Sequence, residues 1–499
     1  MICIDQIDVG EKKSQIPLVR DIYARASSVI IWINEDDSRV SYAFRYLRHI
    51  VANRRVEATS RSALFDLNGW DAVRYLLNCD WFHRTWVLQE SVVSKDAVFL
   101  CASDAMSINE LFSGIDMAVS LLLARPREVK MLHVANVGSV RPALALKELK
   151  KHYSQTNYHL RLLWLLEHFR FMRTTLAHDR IYSLLGLCSS EEATSNPIRY
   201  DLEPEEVYKT FVASHARLYN NLDFLGLCTP AQRGTMCSGP LDKLMSRPFA
   251  GPSWVPNWPS KRLRRCLGLN NFDTDPKFFN VSDGMPITMS FQGNGLVVSG
   301  VRLDQIRNLG GFCYPERRLE LSDANSRLFQ QYFEFWTTAT ERRMPYKDKR
   351  HLAETFARTI SLLGIYLDPV PSPIDIPDMF CRWCRDTILG RRLAEYGLEF
   401  TSGRSVDEPK TFIRMKRLIS WEPFVTAKGY IGLAREQSCV GDEIWLVGGS
   451  SVPLLLSPQT DNTAYFKVKG EVFLDGFMFG ETMRMEGSGL FSVQRITLV

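Results

Sequence analysis

Two short apolar runs, Ile2 to Asp5 and Val29 to Ile33, flank a stretch in which Ile16, Val19, Ile22, Tyr23 and Ala26 recur at helical spacing. Both runs are of strand length and the second is rich in β-branched residues, whereas the stretch between them has the period of a helix that buries one face. Strand, amphipathic helix and strand in succession make a βαβ unit, which demands a parallel sheet with helices on its faces. Asp5 then closes the first strand at its carboxyl end, the edge where ligands sit in open α/β sheets. Asp8, followed three residues later by Glu11, reads as an approximate capping box, and Pro17 falls near the first turn, where its missing N–H costs little.

Helical patterns at Tyr42 to Val51 and Trp70 to Leu77 lead to the segment RTWVLQE, Arg84 to Glu90. Phe82, Trp86, Gln89 and Val93 keep helical spacing, and Asp80 is placed to cap such a helix. Trp86 and Glu90 at i and i+4 share one face, so an indole plane and a carboxylate point into the same space. Packing in an ordinary core stripe is the favoured reading of Trp86, with a wall of a ligand site as the other. Glu90 must find a partner, reach solvent or do chemistry, because a carboxylate on an apolar stripe is otherwise costly. Ala97 to Cys101 reads as a further strand.

From 105 to 187 the pattern is mostly helical, with Leu160, Leu163, Trp164, Phe169 and Met172 densely apolar. His159, His168 and His178 lie there without the spacing of a metal pair. IRYDLEPEEVY, Ile198 to Tyr208, reads as an extended segment entering a helix with Pro204 in its first turn. PSWVPNW, Pro252 to Trp258, has neither period and suits an extended, packed connector. Leu296 to Val301 suggests a strand, Tyr332 to Leu367 is helical in character, and Pro369 to Pro377 reads as a loop. Past residue 421, short β-like runs separated by Gly-Asp, Gly-Gly and Asp-Gly imply a small antiparallel barrel or sheet. The expected division is 1–103, an α/β part; 104–260, mainly helical and ending in the connector; 261–420, mixed and mostly helical; and 421–499, β-rich.

Of the 499 residues, 45% are hydrophobic and 23% charged, ordinary globular values that exclude bulk disorder. A formal net charge of +5 spread along the chain gives no ground for nucleic-acid binding. No apolar run reaches the roughly 18 to 20 residues that span a bilayer. Met117 to Ala124, the best candidate, is bounded by Asp116 and Arg125 and reads as a core helix. Asp5, Asp8 and Glu11 stand where an export signal needs a basic start and a long apolar stretch. Eleven cysteines without a framework pattern suit reduced thiols, and with them a cytoplasmic protein. Cys381 and Cys384 form an isolated C-x-x-C with no second pair at finger spacing, which favours neither zinc nor redox chemistry. No P-loop, G-x-S-x-G, H-E-x-x-H or dinucleotide glycine fingerprint is present.

The ordered set Cys3, Ile4, Asp5, Gln6; Glu11 and Gln15; Ile22, Tyr23 and Ala26; Val29, Ile31 and Trp32; Arg84, Trp86, Gln89 and Glu90; and DRIYSLLGL with Asp179 and Arg180 resembles the fungal heterokaryon-incompatibility (HET) domain family. That resemblance implies nonself recognition and programmed cell death in a filamentous fungus, with protein partners of the incompatibility system and possible homo-oligomers. It also implies an opening Tyr-x-x-Leu-Ser-Tyr-x-Trp-Gly segment, which does not precede Met1. The expectation is therefore a partial domain over 1–103 lacking its first strand and helix, with an inactive remnant as one alternative. HET domains are distantly similar to Toll/interleukin-1 receptor (TIR) domains, so the implied fold is a partial flavodoxin-like parallel sheet, followed by a largely helical region and the β-rich end. In TIR enzymes that cleave NAD, the catalytic glutamate sits in a Trp-x-x-x-Glu arrangement, matched by Trp86 and Glu90. The resemblance thus names Glu90 as candidate catalytic carboxylate, NAD as possible substrate, and no cofactor or metal. Arg84 is open to two roles: a phosphate contact, or, the favoured one, a clamp on Asp5 or Glu90. The whole reading places Asp5 and Glu90 at the same rim of the sheet.

Overall fold

The structure, a computed structural model, describes residues 5, 8–34, 37–54, 64–123, 140–155, 160–229, 249–258, 266–269, 278–311, 321–340, 345–365, 370–384, 387–398, 421–435, 437–459, 462–484 and 491–499. The chain divides into two units, Met1–Ser214 with Trp258–Leu263, and His215–Asn257 with Arg264–Val499.

In the first unit Asp8 caps helix α1 (Val9–Gln15), its carboxylate accepting from the amides of Gly10 at 2.7 Å and Glu11 at 3.0 Å. The helix does not run on. Pro17 has no N–H to give, and a 3₁₀ turn over Ile16–Leu18 separates α1 from α2 (Val19–Arg25). Ile16 and Val19 are buried while Ile22, expected on the same face, is 59% exposed. The run Ile2 to Asp5 lies outside the described residues except for Asp5, which is exposed and in no regular element.

Strand β1 (Val29–Asn34) pairs in parallel with β2 (Ala97–Cys101), and β2 pairs antiparallel with β3 (Asp104–Ser107). The small sheet is therefore mixed, in the order β1-β2-β3. Ile31 on β1 is buried, but Ile30 and Trp32 on its other face are 70% and 65% exposed. The crossover from β1 to β2 carries α3 (Ser38–Ala52), α4 (Leu67–Leu77) and α5 (Trp86–Val92). On α3, Val40, Ala43, Phe44, Leu47 and Ile50 form one buried stripe, the i, i+3, i+4 pattern that commits a helix face to a core. Helices α6 (Ile108–Leu123), α7 (Arg141–Gln155), α8 (Leu162–His168), α9 (Asp179–Tyr182), α10 (Ser190–Ser195) and α11 (Pro204–Tyr219) follow, α11 running on into the second unit.

The second unit is built on an eight-stranded sheet. Its strands are β4 (Met289–Gln292), β5 (Gly295–Leu309), β6 (Trp421–Thr426), β7 (Ile431–Arg435), β8 (Glu443–Val447), β9 (Leu454–Gln459), β10 (Asn462–Phe473) and β11 (Val493–Leu498). The pairings β5–β8, β8–β9, β9–β10, β10–β11 and β11–β5 close a ring, which removes open edges from those strands. The β-rich end thus recruits β4 and β5 from well upstream of residue 421. Helices α12 (Leu321–Thr340), α13 (Lys349–Ser361), α14 (Ile376–Cys384) and α15 (Ile388–Glu395) share an apolar core with β6 and β7. Trp336 Nε1 donates to Phe424 O at 2.9 Å and Tyr332 OH to Trp421 O at 2.6 Å, so two large aromatics bury their bodies while their polar tips are satisfied on barrel backbone. Inside the unit, Arg435 and Glu471 form a buried ion pair, and Glu471 also accepts from Cys266 Sγ and Leu267 N, both at 2.8 Å. The order foreseen from sequence, α/β then helical then β-rich, is the order of the fold, with a mixed sheet where a parallel one was expected.

Candidate functional site

Helix α5 is the element on which the first unit's motif residues meet. It begins at Trp86, later than the helical spacing from Phe82 predicts, and Asp80 does not cap it. Asp80 lies in a 3₁₀ turn, Asp80–His83, and Thr85, the cap position, makes no side-chain cap bond. The reason is a tertiary bridge: Thr85 N donates to Arg173 O at 3.0 Å and Arg173 N to His83 O at 2.5 Å, which holds Arg84 extended. Phe82 is still buried, against Phe99 and Trp81. At the other end, Lys150 of α7 places its ammonium on the carbonyls of Ser91 at 2.7 Å and Ser94 at 2.8 Å, a cation at the negative end of the helix.

Between those fixings the helix is docked on DRIYSLLGL. Gln89 Nε2 reaches Tyr182 O at 3.4 Å. Gly186 passes so close that a Cβ there would stand 2.7 Å from Gln89 Oε1 and 2.9 Å from Arg20 Cβ. Trp86, 6% exposed, donates from Nε1 to Asp179 Oδ2 at 3.1 Å, and Tyr200 OH donates to Asp179 Oδ1 at 2.5 Å. The Lys12 ammonium sits 4.9 Å from the centre of the Tyr200 ring. Burial raises the Asp179 pKa, and the hydrogen bonds from Tyr200 and Trp86 pull against that rise. Burial and the Asp179 charge together push the Tyr200 hydroxyl up. Arg180 is buried beside it and donates to Met172 O at 2.7 Å; burial lowers its pKa to about 10.

Glu90, one turn beyond Trp86, is half-buried and has no hydrogen bond or ion pair with a described residue. Burial raises its pKa, with Arg84 opposing. Tyr23 is close enough to feel it: burial first, then the Glu90 charge, push the Tyr23 hydroxyl up to about 12. Arg84 itself is exposed and forms no ion pair with Glu90, so its charge acts through space rather than as a bidentate clamp.

The structure therefore brings Tyr23 and Arg84 within electrostatic reach of Glu90, and Trp86 onto Asp179, while Gln89 is held on Tyr182 O and Arg180 on Met172 O. Glu11 and Gln15 are half-buried on α1, and Trp32 faces solvent on β1. Cys3, Ile4 and Gln6 lie outside the described residues, as does His159. Sequence reasoning missed Tyr200, Lys12 and Lys150. Only the segment around Tyr200 carried a signal, its extended reading before Pro204.

Residues 1–90 match the family model of the heterokaryon incompatibility protein (HET). The chain is thus similar to the HET family over its first 90 residues. A second match, to the Het-6 beta-barrel domain, covers residues 397–492, within the closed-ring unit. Heterokaryon incompatibility protein 6, OR allele, of Neurospora crassa is 22% identical, over 96% of this chain and 80% of that protein. No solved structure matches the chain significantly. The HET match ends at Glu90, yet the partners that fix its Trp86 come from Asp179 and Tyr200, so the folded HET unit reaches well past the matched segment. Among the described residues no helix is long and apolar enough to cross a membrane.

Proposed function

We propose that this protein acts in heterokaryon incompatibility, converting nonself recognition in a filamentous fungus into programmed cell death. The observation that carries the reading is that one chain matches both the HET model and the Het-6 beta-barrel model, and is similar to Neurospora crassa heterokaryon incompatibility protein 6 over most of both lengths. The reading is of a cytoplasmic protein that works through protein partners of the incompatibility system, its own copies among them. The test is to express the chain in strains that differ at incompatibility loci and score growth arrest and vital-dye uptake in fused cells, beside Trp86→Ala. Normal growth of every heterokaryon expressing the parent chain would reject it.

One observation favours a second reading: Glu90 is a half-buried carboxylate with a raised pKa and no described partner, one turn from a fixed indole. Such a group can stabilise the positive charge that develops on a ribose as the nicotinamide–ribose bond of NAD breaks, or orient the attacking water. NAD is then substrate and no cofactor is needed. Purified parent protein and Glu90→Gln, incubated with NAD and followed by nicotinamide release, test it; equal release by both removes Glu90 from the chemistry.

A further inference from the structure

One cavity of the second unit serves neither proposed activity. It has a volume of about 770 Å³, within the range of small-ligand sites, and opens between helix α12 and the far end of β5, where β5 pairs with β6. Both walls follow from local structure. The pairing of β5 with β6 slips by one residue: Ile306 faces Thr426, and Asn308 faces the neighbouring Val425. Arg307 is the extra residue, a bulge, and the alternation of buried and exposed side chains breaks there. Arg307 and Asn308 are exposed in succession, and both line the cavity. On α12, Phe329, Tyr332, Phe333 and Trp336 are committed to the core, while Gln331, Glu334, Phe335 and Thr338, at i, i+3, i+4 and i+7, line the cavity.

The two walls are tied together by the fold itself. Trp336 and Tyr332 hold α12 on the carbonyls of Phe424 and Trp421, and Gly310 N donates to Pro423 O at 2.8 Å. Gly310 passes so near the Phe335 ring that a Cβ there would stand 3.1 Å from Cγ and Cδ1. The ring is thereby fixed half-buried in the wall, without an aromatic partner among the described residues. Arg307 and Glu334 are the charged groups lining the cavity, and neither pairs with the other or with any described residue of opposite charge. Glu334 Oε1 accepts from Gln330 Nε2 at 2.8 Å, whereas the side chains of Arg307, Asn308 and Gln331 have no hydrogen-bond partner among the described residues.

That set of groups discriminates between ligand charges. A phosphate or carboxylate on Arg307 would share the cavity with the Glu334 carboxylate, and a cation on Glu334 would share it with the guanidinium, so either loses part of what it gains. A zwitterion would use both charges but leave the amides of Asn308 and Gln331 idle. An uncharged ligand rich in hydroxyls uses all of them. Guanidinium, carboxylate and amide are planar, two-pronged groups, and a pair of neighbouring sugar hydroxyls, each both donor and acceptor, matches such a fork. The C–H bonds on one face of a pyranose ring carry slight positive charge and rest on the negative face of an aromatic ring, the part left to Phe335. We propose that this cavity binds a neutral saccharide, its hydroxyls held by Arg307, Asn308, Gln331 and Glu334 and one sugar face resting on Phe335.

The test titrates the full chain with cellotriose, laminaritriose, maltotriose and mannotriose by isothermal calorimetry, beside phenylalanine as a zwitterion and adenosine monophosphate as an anion. Saturable binding of at least one trisaccharide is expected. It should be about tenfold or more weaker in Arg307→Ala and in Glu334→Ala, since each change removes hydrogen bonds to a charged group. Thr338→Trp, which fills the cavity from α12, should abolish it. All three positions are exposed, so the variants should keep the parent's thermal midpoint. The proposal is overturned if none of the trisaccharides binds saturably to the parent chain, if binding persists unchanged in Arg307→Ala and Thr338→Trp, or if phenylalanine or adenosine monophosphate binds in their place.

Discussion

The indole nitrogen of Trp86 and the carboxylate of Asp179 meet at 3.1 Å although 93 positions separate them in sequence. One carboxylate thereby joins the helix that ends the matched HET segment to the DRIYSLLGL motif, and Tyr200 completes the bond on its second oxygen.

Replacing Asp179 by Ala leaves the Trp86 N–H and the Tyr200 O–H without their acceptor in a buried site. Each orphaned group costs about 1–3 kcal/mol. Urea unfolding followed by tryptophan fluorescence should show the first unit's transition at clearly lower denaturant. Asp179→Asn, which keeps one acceptor oxygen, should lose less. An unchanged transition in Asp179→Ala means the bond does not hold α5 in place.

Glu90 gives a pH-dependent outcome whose sign follows from its raised pKa. Above that raised value the folded chain carries Glu90 ionised against the preference of its half-buried setting, and the fold is weakened. As pH falls from the raised value to the ordinary 4.5, the folded state takes up a proton that the unfolded chain does not, so this contribution to stability rises. Below 4.5 both states are protonated and the dependence ends. Glu90→Gln should therefore be more stable than the parent at neutral pH and equal to it in acid. A variant weaker at neutral pH would reveal a partner for the ionised carboxylate.

How much of this was legible beforehand depends on the range of the forces involved. The strands Val29 to Ile33 and Ala97 to Cys101 were readable because dense β-branched and apolar runs state their own burial. Strand β3, with the sequence DAMS, carries no such mark and exists because β2 offers it a ladder. The far half of β5 was hidden for the same reason: Gln305, Arg307 and Asn308 are polar, and pairing with β6 makes that stretch a strand. Trp86 and Glu90 were correctly placed on one helix by local period alone. The start of that helix was not, because Arg173, almost ninety residues on, holds Arg84 extended. Asp179 was picked out only through its motif, and nothing local tells that its partner is an indole on another helix. Ile22 was assigned to the buried side, but the less exposed line of that helix runs from Val19 through Tyr23 and Ala26, at i+4 and i+7, and leaves Ile22 off it.

Gly186 tests the docking of DRIYSLLGL on α5 from the other side. A methyl group there meets Gln89 Oε1 at 2.7 Å and Arg20 Cβ at 2.9 Å, so either Gln89 swings away from Tyr182 O or the segment moves off α2. Overpacking of this kind costs about 1–3 kcal/mol. Gly186→Ala should lower the thermal midpoint, and pairing it with Gln89→Ala, which removes one of the two clashing groups, should restore part of the loss. If the double variant is weaker than the sum of the singles, the steric account is wrong.

The barrel offers a prediction independent of the HET unit. Glu471 on β10 is fully buried, and its carboxylate pairs with the Arg435 guanidinium and accepts from the Cys266 thiol and the Leu267 amide, while Arg435 lies 3.8 Å over the Trp421 ring. Glu471→Ala leaves a buried guanidinium without its counter-charge, which costs about 3–5 kcal/mol. Loss of soluble protein, or an early unfolding transition, is the expected result. The charge itself is not what the fold needs, since a well-packed apolar pair of similar volume can replace a buried ion pair at little cost. Glu471→Leu combined with Arg435→Met should therefore recover much of what the single change loses. The arrangement is judged by that comparison: a double variant no better than Glu471→Ala would show that the hydrogen bonds to Cys266 and Leu267, rather than the uncompensated charge, dominate the site.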